Sequence, residues 1–242
     1  MFETLDCIAL RTVRYNDRHN ILSTYTRQRG RLALMVAAGP GRGAARMKAL
    51  TMPLTQFDCV ADIKPGRDIH TVRDLRPASG GVSAASSPVK GTLCLFIADI
   101  LSTLLRDAQP DESLFDFIAS VIRSITTASP RQAANLHIAF LMRLQHFMGI
   151  EPDWATWAPG KIFDMAGGIF VGSAPLHGRW LPPDEAEAAY SLRRINIGNA
   201  AAWRFSHNDR NTILDRLIRY YQIHFQTLST VSSLDVLRSV FA

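Results

Sequence analysis

The chain changes character near residue 80, and this change constrains its fold more than any other feature. Residues 78–91, ASGGVSAASSPVKG, are rich in Gly, Ser and Ala and show no hydrophobic periodicity. Short runs typical of β-strands precede this stretch, and apolar residues at helical spacing follow it. We therefore expect a multi-domain α+β protein, with a β domain over residues 1–80, a linker over about 78–90 and a helical domain over 81–242.

The first domain is predicted to contain five short strands. Each run combines apolar, β-branched or aromatic residues with turn signals at its ends. The runs cover residues 7–15, 21–28, 31–38, 54–63 and 68–75. Five strands in a small domain favour a closed β-barrel, because closure leaves no unpaired edge strand. An OB-fold barrel fits this pattern, and an SH3-like barrel fits it as well.

Helical periodicity predicts five helices in the second domain. They cover residues 89–108, 111–127, 129–149, 206–225 and 232–241. Asp111 is the expected N-cap of the second helix, and Ser129 with Gln132 is expected to form a capping box at the start of the third. Gly149 is a typical residue at which such a helix ends.

Residues 150–183 interrupt the helical pattern and are rich in Pro, Gly and Trp. The run KIFDMAGGIFV, residues 161–171, predicts a small hairpin that turns near Gly167-Gly168. Because two strands alone are only marginally stable, we expect this hairpin insertion to pack on the helices. The expected anchors are three tryptophans: Trp154, Trp157 and Trp180.

The net charge of +6 is distributed unevenly along the chain. Residues 1–80 contain 13 Lys and Arg against 7 Asp and Glu, whereas residues 81–242 contain 14 of each kind. The whole positive excess therefore lies in the predicted barrel. This asymmetry indicates a domain that binds a polyanion, joined to a neutral domain.

The loop AAGPGRGAARMK, residues 37–48, combines glycines and basic residues as phosphate-binding loops do. Its glycines are spaced G-x-G-x-G, and neither a Gly-Lys-Ser/Thr motif nor a β-α-β context accompanies them. A nucleotide-binding loop is excluded on these requirements. We expect instead a flexible basic loop between two barrel strands, in which Arg42, Arg46 and Lys48 contact nucleic-acid phosphates.

Further basic residues precede this loop, and aromatic residues lie among them. The predicted DNA-binding residues are Arg14, Arg18, Arg29, Arg31, Arg42, Arg46 and Lys48. Arg11 and Arg27 belong to the same basic run. Tyr15, Tyr25 and Phe57 interleave with these cations, as stacking aromatics do in proteins that bind single strands. For each of the three aromatics, packing in the core is the alternative role.

No catalytic or metal-binding motif is recognisable in the sequence. The seven histidines form no H-x-x-x-H or H-E-x-x-H motif, and no G-x-S-x-G elbow is present. Three scattered cysteines, Cys7, Cys59 and Cys94, form no Cys-x-x-Cys pair and suggest buried thiols. We therefore expect a protein that is not an enzyme and binds no cofactor.

Neither a membrane span nor a signal peptide is predicted. No apolar stretch approaches the roughly 20 residues that cross a bilayer. The N-terminus MFETLDCIAL is acidic and mixed. We expect a cytoplasmic protein.

Three segments of the sequence resemble the RecO family of bacterial recombination mediators. The resemblance is carried by ALRTVRYNDRHNILSTYTRQRGRLALMVAAG over residues 9–39, by MPLTQFDCV over 52–60 and by YYQIHFQTLSTVSSLDVLRSVF over 220–241. Because the matching segments come from both ends of the chain, the resemblance covers nearly all of it. It implies an N-terminal five-stranded OB-fold barrel followed by a mostly α-helical domain.

The resemblance also implies partners. Proteins of this family bind single- and double-stranded DNA, anneal complementary strands and, with RecR, help to load RecA onto strands coated by single-strand-binding protein. In the family, the helical domain receives the acidic tail of that coating protein. Candidate residues for this contact, which equally fit a solvated helix face, are Arg204, Arg210, Arg216 and Arg219.

In one respect this chain departs from the family pattern. Many members carry a four-cysteine zinc module in the region that corresponds to residues 150–185, and this chain has no cysteine there. We therefore expect the hairpin without the zinc.

We also expect a nucleoid-associated protein that is monomeric in isolation.

Two other functions are compatible with the residues alone. One is an OB-fold module that binds RNA in translation or RNA processing. The other is a protein-interaction adaptor whose barrel is basic without binding nucleic acid.

Overall fold

A closed five-stranded barrel forms the N-terminal part of the chain, as predicted. The computed structural model describes residues 1–38, 43–78 and 87–241. The strands are β1 (Phe2–Arg14), β2 (His19–Thr26), β3 (Gly30–Ala37), β4 (Gln56–Asp62) and β5 (Ile69–Pro77). They close in the order β1-β2-β3-β5-β4, and only the β3–β5 pair is parallel. The barrel is therefore OB-like, and no strand edge needs protection by another chain.

Alternating side chains fill the barrel. In β4, Phe57, Cys59 and Ala61 are buried, whereas Asp58 and Val60 between them are half-buried. This is the period-2 pattern of a strand with one face on a core. The other strands contribute small and branched apolar residues to the same core: Leu5, Cys7, Ala9, Leu22, Leu34, Val36 and Leu75.

A short helix, α1 (Ala44–Leu50), connects β3 to β4. The prediction of a flexible loop was wrong for this part of the segment. The run Ala-Ala-Arg-Met-Lys-Ala-Leu consists of strong helix formers, and their propensity continues past the glycines that suggested a loop. Leu50 then anchors the helix in the barrel core.

Two long helices follow the barrel: α2 (Pro88–Leu104) and α3 (Glu112–Thr127). Ser87 caps α2 by accepting a hydrogen bond from the amide of Lys90. Asp111 caps α3 as predicted, because its carboxylate accepts from the amide of Leu114 at 3.0 Å. Most of the predicted linker lies outside the described residues. Helix α2 begins at Pro88, two residues before the expected end of that linker.

The turn between β2 and β3 contacts the backbone between α2 and α3. Gly30 adopts a φ of +67° and lies so close to residues 108–110 that a Cβ on it would be 2.3 Å from the carbonyl oxygen of Ala108. The Tyr25 hydroxyl accepts a hydrogen bond from the amide of Asp111 at 3.1 Å and donates to the carbonyl of Gln109 at 3.3 Å. Since burial raises the pKa of Tyr25, the phenol stays neutral and keeps its proton for this donation.

The guanidinium of Arg27 strengthens the same contact. It pairs with Asp116 at 2.6 Å and Glu112 at 3.0 Å on α3, and with Asp6 on β1 at 3.4 Å. It also lies over the ring of Phe115. One cation thereby connects the barrel to the first half of α3.

The contacts divide the chain into two compact units, Met1–Ala128 with Thr230–Ala242, and Ser129–Ser229. The first unit thus contains the barrel, α2, α3 and the last helix, α7 (Leu234–Val240). This grouping reaches further into the helical region than residue 80. The predicted domain boundary at that residue stays a prediction.

The second unit consists of three helices and a small sheet. Its helices are α4 (Pro130–Phe147), α5 (Pro183–Leu192) and α6 (His207–His224). Its strands are β6 (Ile162–Asp164), β7 (Ile169–Val171) and β8 (Trp180–Leu181), in the order β7-β6-β8. The predicted hairpin is β6–β7. The third strand, β8, was missed because two residues beside prolines carry no readable alternation.

Helix ends in the second unit follow their capping residues. Ser129 accepts from the amide of Gln132, but the Gln132 side chain donates to the carbonyl of Ile197 instead of completing the predicted capping box. A complete box forms at α6 between Ser206 and Asp209. Gly149 adopts a φ of +67° just after α4, as expected of a helix end.

Aromatic side chains hold the small sheet against α5 and α6. Trp157 stacks on Tyr190 with centroids 4.0 Å apart, and Phe163 contacts Phe170 at 4.9 Å. Trp154 packs beside the same cluster. Within the described residues, no helix is long and apolar enough to cross a bilayer.

Gly30→Ala is expected to lower the free energy of unfolding by about 3 kcal/mol, because a left-handed φ and an overlap with the Ala108 carbonyl both oppose the new methyl group. Urea denaturation followed by circular dichroism measures the loss. Gly66→Ala is the matched control, since Gly66 also has a positive φ of +75° but nothing lies within 4 Å of its Cβ position. Its expected loss is about 1 kcal/mol. Equal losses in the two variants would contradict the close contact.

Candidate nucleic-acid interface

A cleft of about 610 Å³ opens in the first unit beside α1. Its walls come from β1, β2, the end of β3, α1 and the residues after it, with Leu95 and Asp99 of α2 and Ser232 before α7. Apolar side chains form most of the lining: Leu10, Val36, Met47, Met52, Pro53 and Leu95. Two cations, Arg11 and Lys48, stand among them.

Local structure places both cations at the cleft. The register of β1 against β2 shifts between Ala9 and Arg11, which re-aims the side chains that follow. Lys48 lies in the last turn of α1 and is exposed. The Thr12 hydroxyl donates to the carbonyl of Thr51 at 3.0 Å, which ties β1 to the end of α1.

The positive charges of Arg11 and Lys48 are not compensated locally. Within the described part of the chain, neither forms an ion pair, and both side chains are exposed. Their charges therefore remain available to an anion. An apolar floor with free cations at its margin suits the bases and the phosphates of a nucleic-acid strand, respectively.

The β1–β2 turn lies at the same end of the barrel as α1. The carbonyl of Arg18 accepts from the amide of Ala38, the residue after β3, at 2.7 Å. Arg14 pairs with Asp17, whereas the exposed guanidinium of Arg18 has no acidic partner within the described ranges. Tyr15 between them is 58% exposed, so its ring can be reached by a base.

Two of the predicted DNA-binding residues lie at the opposite end of the barrel. Arg29 follows β2, whose eight residues span about 25 Å, and it makes a bidentate pair with Glu3 at 2.6 and 2.9 Å. Arg31 donates to the carbonyl of Leu32 at 2.8 Å, and burial lowers the pKa of its guanidinium. The structure thus does not bring Arg29 and Arg31 together with Arg14 and Arg18.

The remaining predicted residues belong to the α1 segment. Arg46 donates to the carbonyl of Leu75 at 3.3 Å, which positions it against β5. Lys48 lines the cleft, and Arg42 lies outside the described residues. Arg11, which lines the cleft as well, was in the predicted basic run but not among the predicted contacts, because the β1 register shift leaves no mark in the sequence.

Two of the three candidate stacking aromatics have the alternative role in the core. Tyr25 and Phe57 are fully buried, since they fill the barrel and its contact with residues 109–111. They cannot stack on a base without unfolding. Tyr15 alone of the three is accessible.

The four candidate partner-binding arginines differ in their surroundings. Arg216 makes a bidentate pair with Glu185 at 2.6 and 2.8 Å, so its charge is compensated. Arg210 donates to the carbonyl of Phe205. Arg204 and Arg219 are exposed. The Glu185 partner is 31 residues away in the chain, and no spacing rule could have identified it.

The described residues hold no group of three or more His, Cys, Asp or Glu arranged for a metal ion. Cys7 and Cys59 lie in the barrel core with their Sγ atoms 3.6 Å apart, and burial raises the pKa of Cys94 to about 12. His137 is buried, which lowers its pKa to about 3. Residues 150–185 contain no cysteine, so this region cannot supply the thiolates of a four-cysteine zinc site.

Comparison with known proteins agrees with this architecture. Residues 1–80 match the family model for the N-terminal domain of recombination protein O, and residues 85–233 match the model for its C-terminal domain. The DNA repair protein RecO of Porphyromonas gingivalis is 32% identical over 238 residues, and that of Phocaeicola vulgatus is 31% identical over 235 residues. Each alignment covers 97% of both chains.

Arg29→Ala is expected to raise the pKa of Glu3 toward its usual value, because the hydrogen bond from Arg29 is the main cause that lowers it. A lowered carboxyl pKa stabilises the fold above the ordinary value of 4.5, and this contribution is lost as the pH falls through the lowered pKa. The variant should therefore lose less stability than wild type on acidification. An NMR titration of the Glu3 carboxyl measures the shift.

Arg76→Ala serves as the control, since Arg76 pairs with Asp74 and not with Glu3. It should leave the pKa of Glu3 in place. A Glu3 pKa that does not respond to Arg29→Ala would show that the ion pair is absent in solution.

Proposed function

Since this chain belongs to the RecO family of DNA repair proteins, we propose that it is a non-enzymatic mediator that binds single- and double-stranded DNA and anneals complementary strands. The observation that carries the proposal is the cleft beside α1. There, the uncompensated cations Arg11 and Lys48 stand over an apolar floor. Strand binding and annealing need such a surface and no reacting group.

The cleft suits a single strand because its two kinds of lining match the two parts of a nucleotide. Phosphates would pair with Arg11 and Lys48, and Arg18 would extend this path around the β1–β2 turn. Bases would rest on the apolar floor near Met47 and Met52. Neutral groups such as Thr12 and Asn20 add hydrogen-bonding capacity without sequence preference.

Annealing follows from the same electrostatics. Two strands repel each other through their phosphates, and a basic surface that releases their counterions lowers this barrier. The net charge of +6 in residues 1–80 supports this role. Duplex DNA would use the same cations through phosphate contacts alone, which makes its binding insensitive to sequence.

The proposed partners come from the family. We propose that the protein acts with RecR and helps to load RecA onto strands coated by single-strand-binding protein. For the acidic tail of the coating protein, the exposed Arg204 and Arg219 are better candidates than Arg216, because Glu185 already compensates the charge of Arg216. A bacterial DNA repair protein of this kind would work in the cytoplasm at the nucleoid.

The double variant Arg11→Ala/Lys48→Ala is expected to weaken binding of a labelled single-stranded oligonucleotide and to reduce its salt dependence. Loss of two phosphate contacts should lower the slope of log K against log salt by about 1.4. Fluorescence anisotropy over a potassium chloride series measures both effects. Competition with an RNA of the same sequence distinguishes a DNA site from the RNA-binding alternative.

The matched control is Arg29→Ala/Arg76→Ala, which removes the same charge from arginines that are paired with carboxylates. It should keep the wild-type slope. Equal effects in both double variants would mean that only net charge matters and that the cleft is not the site.

Tyr15→Ala is expected to weaken single-strand binding by about tenfold, within the usual range for loss of one stacked base. The ring is exposed between Arg14 and Arg18 and supports no core contact. Tyr15→Phe should retain the affinity, because it keeps the stacking surface. Wild-type affinity in Tyr15→Ala as well as in Tyr15→Phe would show that no base stacks on this ring.

A further inference from the structure

The C-terminal segment, residues 230–241, covers an acidic side chain in the cleft wall. The Asp99 Oδ2 atom accepts hydrogen bonds from the Ser233 hydroxyl at 2.9 Å, the Ser232 hydroxyl at 3.1 Å and the Ser233 amide at 3.2 Å. One carboxylate oxygen of α2 therefore holds the chain just before α7. Ser232 itself lines the cleft with Asp99.

The position of Asp99 is unfavourable for a polyanion site. Among the described residues that line the cleft, Asp99 is the only one with an acidic side chain. A bare carboxylate there would repel phosphates that Arg11 and Lys48 attract. Three donors on one oxygen distribute this charge into the protein and leave less of it facing the cleft.

Buried side chains hold residues 230–241 in place beside Asp99. Ser233 is 3% exposed and Leu237 of α7 is 1% exposed, so both pack into the first unit. The contact joins residues that lie more than 130 positions apart in the chain. Ser233, the N-cap of α7, makes no side-chain capping hydrogen bond within the helix, so Asp99 of α2 supplies the acceptor at its start.

We propose that residues 230–241 are part of the DNA site, with Ser232 and Ser233 as positioning residues that neutralise Asp99 and complete the cleft wall. The proposal rests on the proposed function of the cleft. Docking of the segment and binding of DNA then favour each other. A polyanion in the cleft stabilises the docked segment to the same extent that the docked segment stabilises the bound polyanion.

The test uses the full chain and a labelled single-stranded oligonucleotide in an anisotropy titration. Ser232→Ala/Ser233→Ala keeps Leu237 but removes both hydroxyl donors, and it should weaken binding by about fivefold, as expected for one exposed charge near the phosphates. Adding Asp99→Asn to this variant should recover most of the affinity. Recovery by removing a charge would not follow from a merely loosened helix.

Ser239→Ala is the matched control, because its hydroxyl donates to Val236 within α7 and not to Asp99. It should bind like wild type. The inference is overturned if the double serine variant keeps wild-type affinity, or if Asp99→Asn does not restore it. The proposed function fails separately, if Arg11→Ala/Lys48→Ala has no effect.

Hydrogen exchange on the unmodified protein gives a second measurement that requires no variant. Saturating single-stranded DNA should slow amide exchange in residues 234–240, because bound DNA favours the docked segment. The amides of the exposed Lys64–Arg67 turn, at the other end of the barrel, should not change their exchange rates. Unchanged exchange in α7 under saturating DNA would also overturn the inference.

Discussion

The close backbone contact at Gly30 holds the turn between α2 and α3 against the barrel. A side chain at this residue would overlap the carbonyl of Ala108, and the hydroxyl of Tyr25 binds the next backbone groups of the same segment. This segment is the turn after α2, so the contact fixes where α2 runs. Because α2 supplies Leu95 and Asp99 to the cleft, a contact at one end of the barrel determines the shape of a surface at the other.

The basic residues of the barrel fall into two classes that composition cannot separate. Arg27 and Arg29 are paired with carboxylates and serve the fold. Arg11 and Lys48 line the cleft and are exposed without an ion pair among the described residues. Net charge is the sum over both classes. Local compensation decides which cations a phosphate can reach, and the pairs involved join residues up to 89 positions apart.

Local patterns predicted much of the fold, and long-range partners account for what they missed. The alternation in β4 and the cap at Asp111 were readable because both depend on neighbours in sequence. Helix α1 was missed because glycines dominate the start of its segment. The DNA-binding residues stay a prediction. Among them, Lys48 lines the cleft, whereas Arg29 lies at the other end of the barrel, where it pairs with Glu3 once β1 and β2 are folded together.

The grouping of α7 with the barrel has a consequence for biosynthesis. Residues 129–229, which form the second unit, leave the ribosome before Ser232 and Ser233 do. Since domains fold as their residues emerge, the barrel can close early, yet Asp99 stays uncovered until residues 230–241 are translated. A nascent chain would therefore carry a closed barrel beside an uncovered Asp99, and the cleft would gain its full affinity for a polyanion only after residues 230–241 had emerged and packed.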